Sequence, residues 1–569
     1  MSLTTSRHDL PMADTNSIRV QSPINERQSN ETEAPMLESE PVPSSAAPGG
    51  IRFWLIMISL MVATFLGALD LTSVSTALPV MVQDLHGTDF VWVGAAFSLG
   101  STAFLPLSGG LAQIFGRKPV ILGSLAFFAI GSAIAGAAQN MNMLIAGRTI
   151  QGVGGGGILS LSEIIISDLV ELRQRGIYMG LISGVWAIAS AVGPPIGGVF
   201  AQHNWRWLFY MNLPLTAVAL VLVFSFLHLK APKSDFKNQI KRLDWIGNGL
   251  VIGGTTSLIL ALARAGVQYS WASYQTLVPL ICGVLGLVAF MVWEAKWASD
   301  PVVPWELVNN RTSFFAFITV VLHGIVSTAA IYYFPVYFQG AQLQWPVRAG
   351  VSLFGLAFTI APAAVVCGFL VAKLNRYVPQ NVAGWVLTTV GFGIMSMLTV
   401  PSPQGWQEGF QIILGIGLGF LFPGPTYPVL AAVPISESAH ALALFTFVRN
   451  LAQTFGVTIG STILQNELKR KLPPTFLETV SAEGAAEIAY SVIPVVGALP
   501  EPLKAQVRDA FAGSVQMIWR VMIGLSAAGL LAALAMQELK MHEATDEDWG
   551  MAEREKQDEE KVQRDAEKV

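Results

Sequence analysis

Fourteen stretches of about twenty mainly apolar residues run through this chain of 569, and a helix of that length spans a hydrocarbon core roughly 30 Å thick. At that depth no water satisfies backbone polar groups, so each stretch is confined to a helix and the chain to an all-α membrane bundle. Six stretches begin near Phe53, Val91, Pro119, Asn142, Tyr178 and Trp207. Two more, Trp245 to Arg264 and Tyr274 to Glu294, are separated by a short polar turn containing Gln268, Tyr269 and Ser270, and read as an inserted hairpin. Six others begin near Phe314, Gly350, Val382, Glu408, Ala439 and Val515.

The chain divides accordingly. Residues 1–50 read as a disordered cytosolic tail, 51–230 as a first six-helix bundle and 231–300 as the inserted pair with its flanking loops. Residues 301–540 read as a second six-helix bundle with a long outer loop at about 465–514, and 541–569 as a charged cytosolic tail. The first tail is rich in Ser, Pro, Glu, Asn and Thr and lacks the apolar core of a secretory signal. With 52% hydrophobic and 13% charged residues, a basic face for nucleic acid is not expected. Cys282 and Cys367 both lie in apolar runs, which argues against a disulfide framework.

Basic residues set the expected orientation. With the N-terminus in the cytosol, the inner connections hold thirteen Lys and Arg, among them Arg117, Lys118, Arg173, Arg175 and Lys230, against seven in the outer connections.

An ionisable side chain at membrane depth costs at least ~2.5 kcal/mol on insertion scales, so each one should face protein or a watery path. Asp70 lies about six residues before the outer end of the first span, and Arg148 about six after the outer start of the fourth. At ~1.5 Å per residue both come to about the same depth, so a charge pair is possible, as structural glue or as a protonation switch. Arg449 sits in Phe445-Thr446-Phe447-Val448-Arg449-Asn450 with no carboxylate beside it. It must find an anionic substrate group or the backbone carbonyls of a packed helix, and the carbonyls are the expected partners. His323 of the ninth span belongs either to a proton route or to the packing. Glu163 is expected near the cytosolic end of its span, within reach of water.

Glycine supplies the second signal. The fourth span carries Gly152 and Gly154 to Gly157, and the fifth carries Gly184 and then Gly193-Pro194-Pro195-Ile196-Gly197-Gly198. Small residues let helices approach closely, and the paired prolines remove helix donors at the same place.

These residues resemble the major facilitator superfamily and, within it, the fourteen-span drug:proton antiporters of fungi. Leu69-Asp70-Leu71-Thr72 through Ala77-Leu78-Pro79 is similar to the first-span signature of that branch. Gly109 through Lys118 is similar to the loop between spans two and three, whose residues Gln113, Gly116, Arg117 and Lys118 are thereby implied in gating. This chain departs from the pattern at Gln113, where the family usually has Asp. Leu144 through Arg148, Gln151 and Gly152 resembles the span-four motif, whose arginine is implied in proton transfer. Gly184 with Gly193, Pro194, Gly197 and Gly198 resembles the fifth-span motif of antiporters. Trp205 through Pro214 and Tyr332 through Gln339 resemble segments typical of fourteen-span members.

The resemblance implies two six-helix bundles around a central cavity, alternating access by rocking, and proton coupling through Asp70 and Arg148. Arg449 and His323 are the candidates for substrate binding. The expected function is proton-driven export of a fungal secondary metabolite, toxin or drug by a plasma-membrane monomer. A vacuolar carrier of basic amino acids and a siderophore carrier are the alternatives. No metal or cofactor is expected. A membrane enzyme or an ATP-driven pump would need a nucleophile, metal cluster or phosphate site, and no Cys-x-x-Cys, His-Glu-x-x-His or Gly-x-x-x-x-Gly-Lys-Ser/Thr pattern occurs.

Overall fold

The computed structural model describes residues 50–85, 91–170, 172–229, 244–265, 269–298, 309–474, 476, 492–493 and 495–541. The expected tails lie outside these residues apart from Gly50 and Met541, as does the middle of the expected long loop.

Among the described residues the chain is helical, apart from one isolated bridge between Ala265 and Tyr269. Its long helices are α1 Ile51–Asp84, α2 Val91–Phe115, α3 Arg117–Gly136, α4 Met141–Leu169, α5 Leu172–His203, α6 Asn212–Phe226 and α7 Trp245–Arg264. They continue with α8 Tyr274–Lys296, α9 Arg311–Val336, α10 Phe354–Leu374, α11 Val378–Met395, α12 Gln404–Leu421, α13 Ser438–Lys471 and α14 Leu503–Leu534. Each expected apolar stretch lies wholly or largely in one of them, those expected near Trp207 and Gly350 opening on the short helices Trp207–Tyr210 and Pro346–Val351. Among the described residues, twelve spans are long and apolar enough to cross a membrane, and of the helices named above α2 and α11 fall outside that set. In α11 the opening turns carry Gln380 and Asn381, which are buried against protein. The chain is a multi-pass membrane protein.

Local chemistry sets the helix ends. Asn140, Asp244 and Asn310 cap α4, α7 and α9, each accepting a hydrogen bond from a backbone N–H of the first turn. Between α2 and α3 the chain reverses through Gly116 alone, at φ 84°, a conformation that strains any residue with a Cβ. Helix α14 begins at Leu503 rather than near Val515, because its first turns bury Val507, Ala510 and Phe511, with Phe511 filling the space beside Gly340.

Helices α1 to α6 pack on one another, as do α9 to α14, and α7 with α8 forms the inserted pair. We call the end that carries the α2–α3 turn the inner end, after the orientation that the basic residues predict. The first half is cored by residues such as Phe53, Leu60, Phe97, Leu125, Phe128 and Leu161. The second half is cored by Trp385, Phe392 and Trp519, with the Trp519 ring 4.8 Å from that of Phe334 and 5.7 Å from that of Phe392. Helix α7 covers the seam between the halves, where Val251 and Phe290 join Leu105 of α2 and Phe447 of α13. On α8 the exposed residues Val278, Ile281, Leu285 and Val288 recur at helical spacing, an apolar stripe suited to lipid. At the inner end, the segment after α14 docks on Tyr377, whose hydroxyl donates to the Gln537 carbonyl (3.0 Å) and accepts from Leu539 N–H (2.7 Å).

Candidate functional site

Three buried ion pairs hang from α4, through Arg148, Glu163 and Asp168, and the first two stand toward opposite ends and reach different parts of the molecule. Arg148 and Glu163 are fifteen residues apart on it, about 22 Å along the axis.

At the outer pair, the Asp70 carboxylate of α1 receives three donors and no solvent. Arg148 Nη1 donates to Oδ2, while Gln151 Nε2 (2.8 Å) and Asn212 Nδ2 (2.7 Å) donate to Oδ1. Asp70, Arg148, Gln151 and Asn212 are all 0% exposed. The guanidinium is fixed by further contacts: Nη1 to Gln151 Oε1 at 2.7 Å, Nε to the Val93 carbonyl at 3.2 Å, and its plane 4.6 Å from the Phe97 ring. Every one of these partners belongs to α1, α2, α4 or α6, so the network lies wholly within the first half. Both carboxylate oxygens are thus met by donors, one by a guanidinium and the other by two amides.

Small residues make this network possible. Gly147 packs on Ala135 of α3, with an added Cβ 2.7 Å from its backbone nitrogen, and one added at Gly131 of α3 would lie 2.3 Å from the backbone nitrogen of Gln151. The glycine-rich face of α4 thus lets α2 and α3 close around Arg148 and Gln151.

The inner pair is of another kind. Arg449 Nη2 of α13 donates to Glu163 Oε1, and Thr446 Oγ1 donates to Oε2 at 2.5 Å. Glu163 and Arg449 are each 5% exposed. This corrects two expectations: Glu163 is sealed from water rather than interfacial, and Arg449 is neutralised by a carboxylate from the opposite half rather than by backbone carbonyls. Spacing along α4 did not reveal this, because the cover over Glu163 comes from α13, almost three hundred positions later in the chain. Arg449 also lies 4.9 Å from the Phe422 ring and 5.0 Å from that of Phe445. His323 is buried nearby, edge-on to Phe422 at 6.5 Å.

The gating candidates bind the inner end of the first half together. Arg117 donates through Nε to Asp168 Oδ2 (2.9 Å) and through Nη1 to the Ala112 carbonyl (3.0 Å). Lys118 reaches across to the Phe224 carbonyl of α6 (2.7 Å). Arg175 caps the end of α4 by donating to the Ser167 (2.6 Å) and Val170 (2.8 Å) carbonyls. Burial pushes its guanidinium down to about 10, with the neighbouring Asp168 opposing that shift. Gln113 makes a bond across the halves, its amide 3.5 Å from His440 Nδ1 on α13.

The α5 glycines divide between two neighbours. At Gly193 and Gly197 the backbone meets Thr72 and Ser73 of α1, closely enough that no Cβ fits. Gly184 instead faces Ala361 of α10, where an added Cβ would sit at 3.4 Å, and Gly198 faces Val347 at 3.8 Å. Pro194 lies within α5, which is one continuous helix through both prolines; its side chain is outside the described residues.

The model of the Major Facilitator Superfamily matches residues 60–457. The chain belongs to that superfamily. It is 37% identical over 525 residues to the efflux pump FUS6 of Gibberella fujikuroi, covering 91% of this chain and 94% of that one. It is likewise 37% identical over 525 residues to the MFS-type efflux pump LUC4 of a Fusarium species, covering 91% and 93%. To the MFS-type efflux pump MMF1 of Pseudozyma antarctica it is 35% identical over 497 residues, covering 86% and 91%. Among solved structures, the human organic anion transporter MFSD10 superposes with a TM-score of 0.54 at 14% identity, over 84% of this chain and 100% of that one. The proton:xylose symporter XylE superposes with a TM-score of 0.53 at 13% identity, over 84% and 94%. Both share the fold. The expected family and fold class are thus borne out, and the protein is a major facilitator transporter.

Within this major facilitator chain, the residues that sequence reasoning passed over are the neutral ones. Gln151 and Asn212 complete the Asp70 site, and Thr446 completes the Glu163 site. A signal for Gln151 was present, since it stands three residues after Arg148 and so one helical turn along the same face. Asn212 had a weaker one, as an amide set inside an apolar run beside Pro214.

Proposed function

We propose that this protein is a proton-coupled exporter of small organic molecules at the plasma membrane, acting on a fungal secondary metabolite, toxin or drug. The observation that carries the coupling is Asp70: a fully buried carboxylate held by Arg148, Gln151 and Asn212 at membrane depth. The direction and cargo class rest on the relatives named as efflux pumps.

A proton arriving from the acidic outer side neutralises Asp70 and weakens its bond to Arg148. Arg148 keeps the Val93 carbonyl, Gln151 and the Phe97 ring, so the cation stays compensated while the carboxyl is freed. The two protonation states thus favour different packings of α1 against α4 and α6, and the gradient shifts the population between them. The magnitudes agree: one proton supplies about 2.3 kcal/mol per 100 mV of potential and about 1.4 kcal/mol per pH unit, against ~3–5 kcal/mol for parting a buried ion pair.

The alternatives fit less well. A siderophore carrier calls for unneutralised buried arginine, but both Arg148 and Arg449 are met by carboxylates. A carrier of basic amino acids calls for a carboxylate open to a cation, and Asp70 and Glu163 are both engaged by arginine.

The test is proton-driven uptake into inverted plasma-membrane vesicles, with fungal metabolites and basic amino acids as candidates. Metabolite uptake that collapses with a protonophore and with Asp70→Asn is the expected result. Uptake indifferent to the gradient contradicts proton coupling, and uptake of basic amino acids contradicts the cargo class.

A further inference from the structure

When the inner end of a rocking transporter opens, α4 and α13 part, and the Glu163–Arg449 pair is divided unequally. Arg449 leaves with Phe422 and Phe445, two aromatic faces from its own half. Glu163 leaves with neither of its donors, because Thr446 and Arg449 both stand on α13. A carboxylate at this depth, stripped of its counter-charge, carries a penalty of several kcal/mol. It also has an escape that arginine lacks: a carboxylate takes up a proton, whereas guanidinium stays charged in proteins.

We propose that Glu163 is a second protonatable group of the transport cycle, one that takes a proton from the inner aqueous phase as the halves part. As the Arg449 and Thr446 hydrogen bonds break, a hydronium ion or buffer acid transfers H⁺ to a Glu163 carboxylate oxygen. On closure Arg449 N–H replaces that proton, which returns to water on the same side. No net charge crosses the membrane at this site, so it regulates opening without drawing on the gradient. The inference rests on the rocking-transporter reading but not on Asp70 as the coupled site.

The other ionisable groups at this end are engaged elsewhere. Arg117 holds Asp168 on the α3 side, Arg175 of α5 holds the α4 carbonyls, and His440 of α13 contacts Glu437 (3.1 Å) and Gln113. From α1 and α2 no charged side chain is hydrogen-bonded to Glu163 among the described residues. His323 of α9 lies edge-on to Phe422 at 6.5 Å.

The test measures the width of the inner end directly. Full-length protein with Cys282 and Cys367 replaced is spin-labelled at Phe115→Cys on α2 and Leu374→Cys on α10, both exposed, and placed in lipid nanodiscs. Pulsed electron–electron distances are then recorded from pH 5 to 9. The longer distance is expected to grow as pH falls, and in Glu163→Gln to be present at every pH. Thr446→Val removes one donor from the ionised form, so its midpoint should rise by about one unit, tenfold in proton concentration, with Thr446→Ser restoring it. Asp70→Asn should leave the response intact even if it abolishes transport, which separates this site from the coupling site. The proposal is overturned if Glu163→Gln keeps the wild-type response, if wild type shows none, or if His440→Gln or Asp70→Asn is the substitution that removes it.

Discussion

Of the buried ion pairs on α4, those of Arg148 and Glu163 have the same chemistry and opposite mechanical positions. Arg148 with Asp70 is bonded within one half, and Glu163 with Arg449 is bonded between halves. A rigid-body rocking motion leaves the first intact and must part the second. In the proposed mechanism the first therefore changes state only through chemistry, the arrival of a proton. The second changes state with geometry, whatever the chemistry. Burial and arginine pairing, which look alike at both sites, do not by themselves tell a coupling site from a latch; which helices the partners ride on does.

The strongest way to break this contrast is at the outer pair. Arg148→Ala leaves Asp70 buried without its counter-charge, expected to cost about 3–5 kcal/mol and to lower the melting temperature of the purified protein. Asp70→Asn is nearly isosteric, so it should keep the fold while reducing gradient-driven uptake at least ~100-fold, about 2.7 kcal/mol of lost coupling. Retained gradient-driven uptake in Asp70→Asn would dissolve the distinction. Next is the inner pair, through a double-mutant cycle on Glu163→Ala and Arg449→Ala. A coupling energy of about 1–3 kcal/mol in thermal stability is expected for a direct pair, and additive losses would mean that the pair is not formed.

A smaller effect separates the two faces of α5. Gly197→Val forces a side chain into the Ser73 backbone of α1 and should destabilise by about 1–3 kcal/mol. Gly184→Ala and Gly198→Ala meet only ordinary or slightly tight contacts at Ala361 and Val347 and should express and melt as wild type. Equal tolerance at all three would show that α1 and α5 are not packed in this way.

The smallest effect lies outside both pairs. Tyr377→Phe removes one bridge to the segment after α14, worth about 1 kcal/mol. Burial, aided by the Glu538 charge and opposed by the Leu539 N–H, raises the Tyr377 phenol from 10.0 to about 12. Its contribution is thus complete below pH 10 and is lost as pH rises toward 12. Absorbance titration of Tyr377 against the Phe variant checks this.

Much of the fold was legible because apolar length alone demands helices, and each expected stretch is helical over most of its length. The Asp70–Arg148 pair was legible from depth, since both residues sit on adjacent helices at similar distances from one membrane face. The Glu163–Arg449 pair was not. Its members belong to different halves, and no local pattern states which helix of one bundle meets which of the other. Gln151 and Asn212 escaped for a different reason: neutral amides carry no insertion penalty large enough to mark them, yet here they supply two of the three donors to Asp70.

The most direct measurement tethers the helices in each region and asks whether transport survives. Ser108→Cys with Ser160→Cys joins α2 to α4 inside the first half, where the two hydroxyl oxygens lie 2.7 Å apart. Gln113→Cys with His440→Cys, bridged by a short bifunctional thiol reagent, joins α2 to α13 across the inner seam. Each variant, with Cys282 and Cys367 removed, is assayed for uptake into inverted vesicles while linked and again after reduction. The within-half tether is expected to leave uptake the same in both states, and the cross-seam tether to abolish it until reduction restores it. Uptake that continues through the cross-seam tether would contradict the claim that the inner seam parts during each cycle.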